Sequence, residues 1–552
     1  MQEKGTIGII LGARQVPDEL VPVFGAVPAT LIPINGKPVI FFLLEHFRSL
    51  GIRQVYVSVG YQREKVEAIL NVYSDEDSFR VIPVAVDPQK RPGSALLDII
   101  KSIPQSERKT NGLYIQLADT LLPSSSNLRL ERNFIVVSNE YAQSEYWCVV
   151  DRDPNDKKIT AIYDKQKGKE GKFAAVGAYH FIDGTLWDDM EEQNCEISSL
   201  LEHVMSKGQA IEAREESEWF DLGHLEKYYQ AKARLLSSRA FNELRTGEFM
   251  NTVVKRSSRN EILKDEILWY VNLPKELKIY APRIIDYNVD ESKGEVYAEF
   301  EFYGYPSLAN LWLYGDFSLV VWQTMIDRVF AILQQFRRNP YPVKFEDSLA
   351  MYAGKTELRI KQAKEQSKML AGLFEAESVQ INGEKYKGWP SFQGHLEEFA
   401  KQLYAEEDHC FLHGDMCFSN ILFDLNYGVV KLVDPRGKWG SESFYGDIKY
   451  DVAKLRHSSA GFYDHIVQGH VNVSYSNAKE PSITLDFPLV NDLHRAVQGY
   501  VDRKISETWD LKKIKLIEGL LFVSMIPLHS ENEKRQIAMF AQGIRLLNEV
   551  AQ

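Results

Sequence analysis

With 552 residues, 44% of them hydrophobic and 26% charged, the chain is too long for one hydrophobic core. Its ordinary globular usage excludes long disordered tracts, and its length points to three or four units of roughly 150 residues each. A formal net charge of −12 excludes a general phosphate-backbone binder and leaves room only for local basic pockets that take small anions, so nucleic acid is not an expected partner.

From residue 6 to about 236, short β-branched runs alternate with amphipathic helices. TIGIIL is followed by a long loop, by the helix PVIFFLLEHFRSLG with its proline at the start and Gly51 at its stop, by the strand QVYVSV and by the helix REKVEAILNVY. Further strands are expected at FRVIPVAV, GLYIQLAD, NFIVVS and AAVGAYHF, and KQKGKEGK at 165–172 reads as a solvated loop. Strand, helix, strand, helix is the pattern of an open, mainly parallel sheet, which binds ligands at the carboxyl ends of its strands. From about 237 the rhythm changes to a hairpin-like NELRTGEFMNTVVKRS, one helix, a strand pair and then long helices such as VVWQTMIDRVFAILQQF and HLEEFAKQLYAE. Cys148, Cys195, Cys410 and Cys417 show neither CxxC pairing nor metal-ligand spacing and are expected as core thiols of a reducing compartment. Apolar stretches such as GLLFVSMIPL are too short to span a bilayer, and MQEKGTIGIILG lacks a signal-peptide layout, so a cytoplasmic protein without a membrane span is expected.

The segment FLHGDMCFSNILFD, residues 411–424, puts Asp415 five residues ahead of Asn420, and KLVDPRG places Asp434 at the end of the following hairpin. Metal-assisted phosphoryl transfer needs these residue types: one carboxylate for the proton of the attacking hydroxyl, and an amide with a second carboxylate to hold Mg2+ on ATP phosphates. With this spacing the segment resembles the aminoglycoside phosphotransferase and choline kinase families, relatives of protein kinases. That resemblance implies a small amino-terminal lobe with an ATP-contacting lysine, a helical lobe with the catalytic loop, and phosphorylation of a hydroxyl on a small molecule. It makes Asp415 catalytic and Asn420 and Asp434 metal ligands. Lys255 becomes the ATP lysine with Glu266 as its ion-pair partner, Glu261 competing for that place. Glu301 to Tyr303 become the adenine contact, Asp447 and Asp451 braces of the catalytic loop, and His413 a structural hydrogen-bonder. Only Gly247 stands between the first two strands, so the family's phosphate-covering loop is unrecognisable.

Residues 6 to about 235 resemble the sugar-1-phosphate nucleotidyltransferases, including choline-phosphate cytidylyltransferase-like enzymes of bacterial surface polysaccharide pathways. The landmarks are PATLIPINGKPVIFFLLEHFRSLGIRQVYVSVGYQ, the RPGSA stretch with Gly93 and Ser94 as base contacts, LADTLL with Asp119, YDKQ with Lys165 as acceptor-phosphate contact, and WFDLGHLEKYYQA with Asp221. The resemblance implies that Asp119 and Asp221 hold a divalent metal against nucleotide phosphates. It also shows a departure: where the family has GxGxR and then a proline-lysine pair, this chain keeps Gly12 but carries Arg14 at the second glycine and Ala29 at the lysine. Arg14 is the expected replacement cation, since a guanidinium clamps phosphate bidentately. A variant loop with full activity and a catalytically degenerate nucleotide-sugar-binding domain both remain open.

The expectation is therefore an α/β domain with a Rossmann-like, mainly parallel sheet at 1–236, followed by an α+β protein-kinase-like domain with a small lobe at 237–310 and a helical lobe at 311–552. It would make a nucleotide-activated sugar, polyol or amino alcohol for surface polysaccharide. Mg2+, ATP and a second nucleoside triphosphate, CTP or UTP, are the expected cofactors, and small-molecule hydroxyl and phosphate substrates the partners. A homo-oligomer is left open.

Overall fold

The computed structural model describes residues 5–73, 78–123, 128–141, 143–169, 172–191, 194–235, 242–246, 252–476 and 480–550, so that Gly247 lies outside the described residues. The chain divides into two compact units, Met1–Leu235 and Leu236–Gln552.

The first unit is built around β1 (Gly5–Leu11), followed by α1 (Val39–Ser49), β2 (Gln54–Val59), α2 (Arg63–Tyr73), β3 (Arg80–Ala85), α3 (Pro92–Ser102) and β4 (Asn111–Leu117). All four strands run parallel in the spatial order β4-β1-β2-β3. The chain leaves β1 toward β2 and β3 and then crosses back to lay β4 on the other side of β1. The order therefore reverses between β1 and β4, where open α/β sheets form their ligand crevice. Beyond β4 come β5 (Phe134–Ser138), β6 (Cys148–Arg152), β7 (Ile159–Asp164) and β8 (Phe173–Phe181), with β8 antiparallel to β4, β5 and β6. After α4 (Ile197–Ser206), β9 (Glu212–Glu215) runs parallel to β5, and α5 (Leu225–Arg234) closes the unit. Alternation along the strands loads both faces. Ile7, Ile9, Leu113 and Ile115 face Leu96, Ile99 and Ile100 of α3 and Leu200, Leu201 and Val204 of α4. On the other face, Phe47 of α1 meets Tyr114 edge-on at 5.0 Å.

The sequence leaves β6 and β7 unread because both keep most of their side chains partly exposed and so lack an apolar run; β7 is an edge strand, while β6 lies between β7 and β8. It also reads RPGSA as a loop, whereas Pro92 opens α3 at a position where the missing N–H costs nothing. Cys195, Cys410 and Cys417 are buried thiols, and Cys148 is only partly so.

The second unit opens on an antiparallel sheet, β10 (Asn242–Thr246), β11 (Thr252–Ser257), β12 (Ile284–Asn288) and β13 (Tyr297–Glu301), in the order β10-β11-β13-β12, with α6 (Asn260–Asn272) between β11 and β12. The rest is mainly helical: α7 (Leu319–Arg337), α8 (Lys355–Gln366), α9 (Ile448–Ser459), α10 (Asp492–Ser506), α11 (Leu511–Met525) and α12 (Glu533–Val550). α8 stops at Gln366, where Ser367 is extended, and a further helix starts at Lys368. Among the described residues no helix is long and apolar enough to cross a membrane.

Every residue of α9 is buried, its charged ones included, which is tolerable only where each charge is paired. Arg456 of α9 donates to both oxygens of Asp502 on α10, at 2.8 and 3.1 Å, and to Glu518 on α11. This one guanidinium ties three helices together. Replacing Arg456 by Met should cost about 3–5 kcal/mol of unfolding free energy, because Glu518 is left charged and fully buried. The double change Arg456→Met/Glu518→Met should recover most of that loss in urea denaturation.

Candidate functional site

In the second unit, the ammonium of Lys255 on β11 donates to both oxygens of Glu266 on α6, each at 2.7 Å, and to Asp434 Oδ1 at 2.7 Å. Burial opposes its charge, but Asp434 and Glu266 together raise the pKa above that of an ordinary lysine. Glu261, the competing partner, points outward and pairs with Lys264. Asp434 adopts φ = 54°, a left-handed backbone that Asp tolerates better than most residues and that concentrates at functional turns. Gly437, at φ = 69°, packs so closely on α6 that a Cβ there would lie 2.2 Å from the carbonyl oxygen of Asp265. That contact sets the 434–437 turn against the helix that carries Glu266.

The 411–420 loop is held by hydrogen bonds to buried groups. Asp451 of α9 accepts from the backbone N–H of His413 at 2.8 Å and Met416 at 3.3 Å, and from Gly414 as well. Burial pushes its carboxyl up to about 7 against these N–H dipoles. His413 is a brace too: Nε2–H donates to the Val433 carbonyl at 3.1 Å and Nδ1 accepts from the Asp415 N–H at 3.3 Å. Burial lowers its pKa to about 4, so the ring stays neutral. Asp447, also expected as a brace, instead accepts from the Tyr352 hydroxyl at 2.8 Å and caps α9 through the Lys449 N–H.

Asn420 Nδ2 lies 2.9 Å from the Asp415 carbonyl and 3.3 Å from Asp415 Oδ2. Lys454 Nζ lies 2.9 Å from Asp415 Oδ1. Burial would raise the Asp415 pKa, but Lys454, His413 and Arg436 together hold it below the ordinary range. The carboxylates of Asp415 and Asp434 both act on the His413 ring. They keep 39% and 41% side-chain exposure respectively, while Asn420 is buried. Two open carboxylates above a buried amide fit a hard cation with oxygen ligands. At the lobe edge, the Tyr303 hydroxyl donates to Glu301 Oε2 at 2.9 Å, and Arg283 lies 3.9 Å from Glu301 Oε1. The sequence reading missed Lys454, whose signal was its position three residues after Asp451, on the same face of α9.

In the first unit, Gly12 and Asp119 follow the carboxyl ends of β1 and β4, which are paired through Leu11 and Leu117. The two residues thus emerge side by side at the point where strand order reverses. A Cβ on Gly12 would meet the Thr30 methyl at 2.2 Å and the Ala118 methyl at 2.9 Å, and its N–H donates to the Ser58 hydroxyl at 2.7 Å. Close packing therefore demands the glycine. Residues 13–31 form a packed cap, with Val16, Leu20, Val23, Phe24 and Val27 in its core. Arg14 is exposed and donates to the Lys90 carbonyl at 2.7 Å. Gly93 and Ser94 lie against Cys195 and Glu196: a Cβ on Gly93 would be 2.4 Å from the Glu196 carbonyl oxygen, and the Ser94 hydroxyl accepts from the Cys195 N–H at 2.9 Å. Lys165 follows β7 at φ = 51°, with its N–H on the Trp147 carbonyl at 2.9 Å.

Asp119 and Asp221 are brought together by the two-residue strands Thr120–Leu121 and Phe220–Asp221, which pair antiparallel, and by the Leu222 N–H on the Asp119 carbonyl at 2.7 Å. Burial and the charge of Asp221 push Asp119 up to about 6, and burial raises Asp221 as well. Among the described residues neither has a lysine or arginine within ion-pair distance; only His224 Nε2 stands 3.8 Å from Asp221. Two like charges, Asp221 buried and Asp119 half-buried, without a lysine or arginine beside them are an unfavourable arrangement that a divalent metal relieves. No set of three His, Cys, Asp or Glu side chains gathers among the described residues. The protein would therefore supply two ligands and a phosphate-bearing substrate others.

Paired carboxylates at the switch point of an open α/β sheet define a nucleotide-handling domain. Residues 18–238 match the family model described as nucleotidyl transferase, so the first unit carries a nucleotidyl transferase domain with a Rossmann-like, mostly parallel sheet. Among curated proteins the chain is similar to D-glycero-alpha-D-manno-heptose 1-phosphate guanylyltransferase of Campylobacter jejuni, 25% identical over 37% of this chain and 88% of that one. It is also similar to UTP–glucose-1-phosphate uridylyltransferase AglF of Haloferax volcanii, 24% identical over 38% of this chain and 88% of that one. Among solved structures, a UDP-glucose pyrophosphorylase complexed with UDP-glucose aligns at 15% identity and a TM-score of 0.36, over 41% of this chain and 97% of its own.

Asp119 binds its proton more tightly in the fold than in the unfolded chain, so this group makes the first unit more stable as pH falls from about 6 toward 4, and less stable above. Asp119→Asn should raise the thermal midpoint without added metal, by an amount equivalent to about 1–3 kcal/mol. The wild type should show a Mg2+-dependent rise, and Asp119→Asn should abolish it. Thermal scans at pH 5 and pH 7.5, with and without Mg2+, read both effects.

Proposed function

We propose that the chain is bifunctional: its second unit phosphorylates the hydroxyl of a small molecule from ATP, and its first unit joins the resulting phosphate to a nucleoside triphosphate, releasing pyrophosphate. The product is a nucleotide-activated sugar, polyol or amino alcohol for surface polysaccharide, and the setting is cytoplasmic. The observation that carries the reading is the bridge from Lys255 to Glu266 and Asp434, next to a loop in which Asp415 and Asn420 touch. In a kinase-like domain with lobes at 237–310 and 311–552 this is the lysine, helix glutamate and metal aspartate of an ATP site. The named activities of the two curated relatives support a sugar 1-phosphate as the class of acceptor for the first unit. Their different nucleotides, guanylyl and uridylyl, leave CTP, UTP and GTP as candidates there.

In the kinase step, Asp415 takes the proton of the acceptor hydroxyl as its oxygen bonds to the γ-phosphorus of ATP and ADP leaves. Lys454 keeps Asp415 ionised and offsets charge on the phosphoryl group in flight. Asn420 and Asp434 would hold Mg2+, which neutralises the phosphate charge when bound. Lys255 orients the α- and β-phosphates, and the Glu301 to Tyr303 edge receives the adenine. In the nucleotidyl step, Asp119 and Asp221 would hold the second Mg2+ on the nucleotide phosphates, while Gly12, Gly93 and Ser94 shape the nucleotide bed. Lys165 and Arg14 are the cations available to the acceptor phosphate and the triphosphate.

One observation favours a second reading, in which the first unit binds nucleotide-sugar without turnover: the cap at 13–31 has an apolar core, Ala29 stands at the expected lysine, and Arg14 is tied to Lys90. Both readings are tested on the full chain by supplying ATP, Mg2+ and a panel of alcohols, then CTP, UTP, GTP or dTTP. ADP formation should fall by about 10²–10⁴ in Asp415→Ala, with pyrophosphate release retained when the acceptor phosphate is added directly. Asp119→Asn/Asp221→Asn should do the reverse. Wild-type ADP formation unaffected by Asp415→Ala would sink the kinase, and nucleotide binding without any pyrophosphate would select the second reading.

A further inference from the structure

The surroundings of Asp415 are crowded with cations, of which Lys454 and Arg436 act on its carboxylate directly. A stretch of π-helix, Ala350–Gly354, runs into α8, and such local widening recurs at functional sites. It delivers Lys355 at the first position of α8 and Arg359 one turn later on the same face. Lys355 Nζ donates to the buried Tyr450 hydroxyl at 2.9 Å, and Arg436 Nη1 approaches the same oxygen at 3.4 Å. Arg436 is held over the Asp415 loop, its N–H on the His413 carbonyl at 2.9 Å, and its Cβ lies 2.7 Å from where a Cβ on Gly414 would stand.

Among the described residues these three cations are without a carboxylate at ion-pair distance, unlike Lys255, Lys449, Lys454 and Arg456, each of which has at least one. Asp415, on which the charge of Arg436 acts, is already engaged by Lys454 at 2.9 Å. Burial lowers Lys355 to about 8. Burial and then the charges of Arg436 and Arg259 lower Arg359. The Tyr450 phenol, which burial alone would raise, is brought down to about 8 by Lys355, Arg436 and Lys454. Like charges beside the buried Tyr450, with Lys355 and Arg359 half-buried and Arg436 exposed, are held at a cost that an arriving anion removes. Lys355 and Arg436 meet at the Tyr450 hydroxyl and Arg359 stands one turn from Lys355 on the same face of α8, a grouping of two guanidiniums and an ammonium that suits a phosphate or carboxylate.

Resting on the kinase reading above, we propose that Lys355, Arg359 and Arg436 form an anion subsite for the phosphoryl acceptor, so that the second unit phosphorylates an alcohol already carrying a phosphate or carboxylate. Asp415, one side chain away through Lys454 and Arg436, then meets the free hydroxyl of the same molecule. The site discriminates against choline-like acceptors by placing positive charge where their ammonium would go.

Two measurements on the full chain test this. Inorganic phosphate titrated calorimetrically without nucleotide should bind the wild type at least tenfold more tightly than Arg359→Gln or Arg436→Gln; sites in the first unit contribute equally to all three proteins. In ADP formation, glycerol 3-phosphate and glycerate should exceed glycerol and choline at least tenfold in kcat/KM. Arg359→Gln should raise KM for the anionic alcohol at least tenfold with KM for ATP unchanged within twofold. Equal phosphate affinity in wild type and both variants, a loss that falls on ATP instead, or preference for glycerol or choline would each overturn the subsite. Absence of ATP consumption with every alcohol would instead remove the kinase reading, and the phosphate titration would still decide whether the three cations hold an anion.

Discussion

The second unit depends on keeping one buried ammonium charged. Lys255 sits on a strand where water does not reach it, so its charge survives only because Glu266 and Asp434 flank it at 2.7 Å. Those two carboxylates come from different parts of the chain, α6 and the turn after the 429–432 strand, so the same ion pairs that satisfy the lysine also fix the helix against the turn. Gly437 adds the steric half of that constraint, allowing the turn to lie on the backbone of Asp265. Asp451 adds the polar half below, accepting N–H bonds from the loop that presents Asp415. Local geometry and electrostatics are the same set of contacts here, which is why each group is over-determined by its neighbours.

The first unit solves a different problem with the same means. Reversal of strand order between β1 and β4 leaves a crevice, and the short pairing of Thr120–Leu121 with Phe220–Asp221 delivers a second carboxylate to the one at the end of β4. Asp221 is 102 residues from Asp119 in sequence, but hydrogen-bonded backbone brings the two together, at a cost in desolvation and repulsion that raises the pKa of Asp119. Such a cost in the free protein is the usual signature of a site arranged for a ligand rather than for stability.

Much of this was legible from residue types and spacing. The strands β1 to β5 and β8 and the helices α1 and α2 read directly from alternation and 3.6-residue periodicity, because their buried faces are continuous. β6 and β7 did not, since Asp151, Arg152 and Asp164 leave only short apolar runs in them. The pairing of Lys255 with Glu266 rather than Glu261 turns on which face of α6 meets the sheet, a matter settled by packing at Leu263, Ile267 and Trp269, all buried. Gly12 read as a phosphate-cradling residue by resemblance, whereas its tight fit against Thr30 and Ala118 supplies a packing reason for the same letter. The cation cluster was invisible because Lys355, Arg359 and Arg436 are scattered over 82 positions and are joined only by Tyr450.

Among the described residues, two groups of like charges stand without a lysine, arginine or carboxylate counter-ion at ion-pair distance. Asp119 and Asp221 form a negative pair that a dication would neutralise; Lys355, Arg359 and Arg436 form a positive group that an oxyanion would neutralise. Both kinds of site follow from one physical rule: a buried charge left unpaired in the free protein raises the free energy of that state, and binding of the opposite charge recovers it. Arg456, with Asp502 and Glu518 around it, shows what the same fold does where no ligand is intended. There one buried guanidinium is shared by two carboxylates, so each charge has a partner within the three helices. The contrast between matched charges in the helical core and unmatched ones beside Asp415 separates structural pairing from ligand recognition within a single unit.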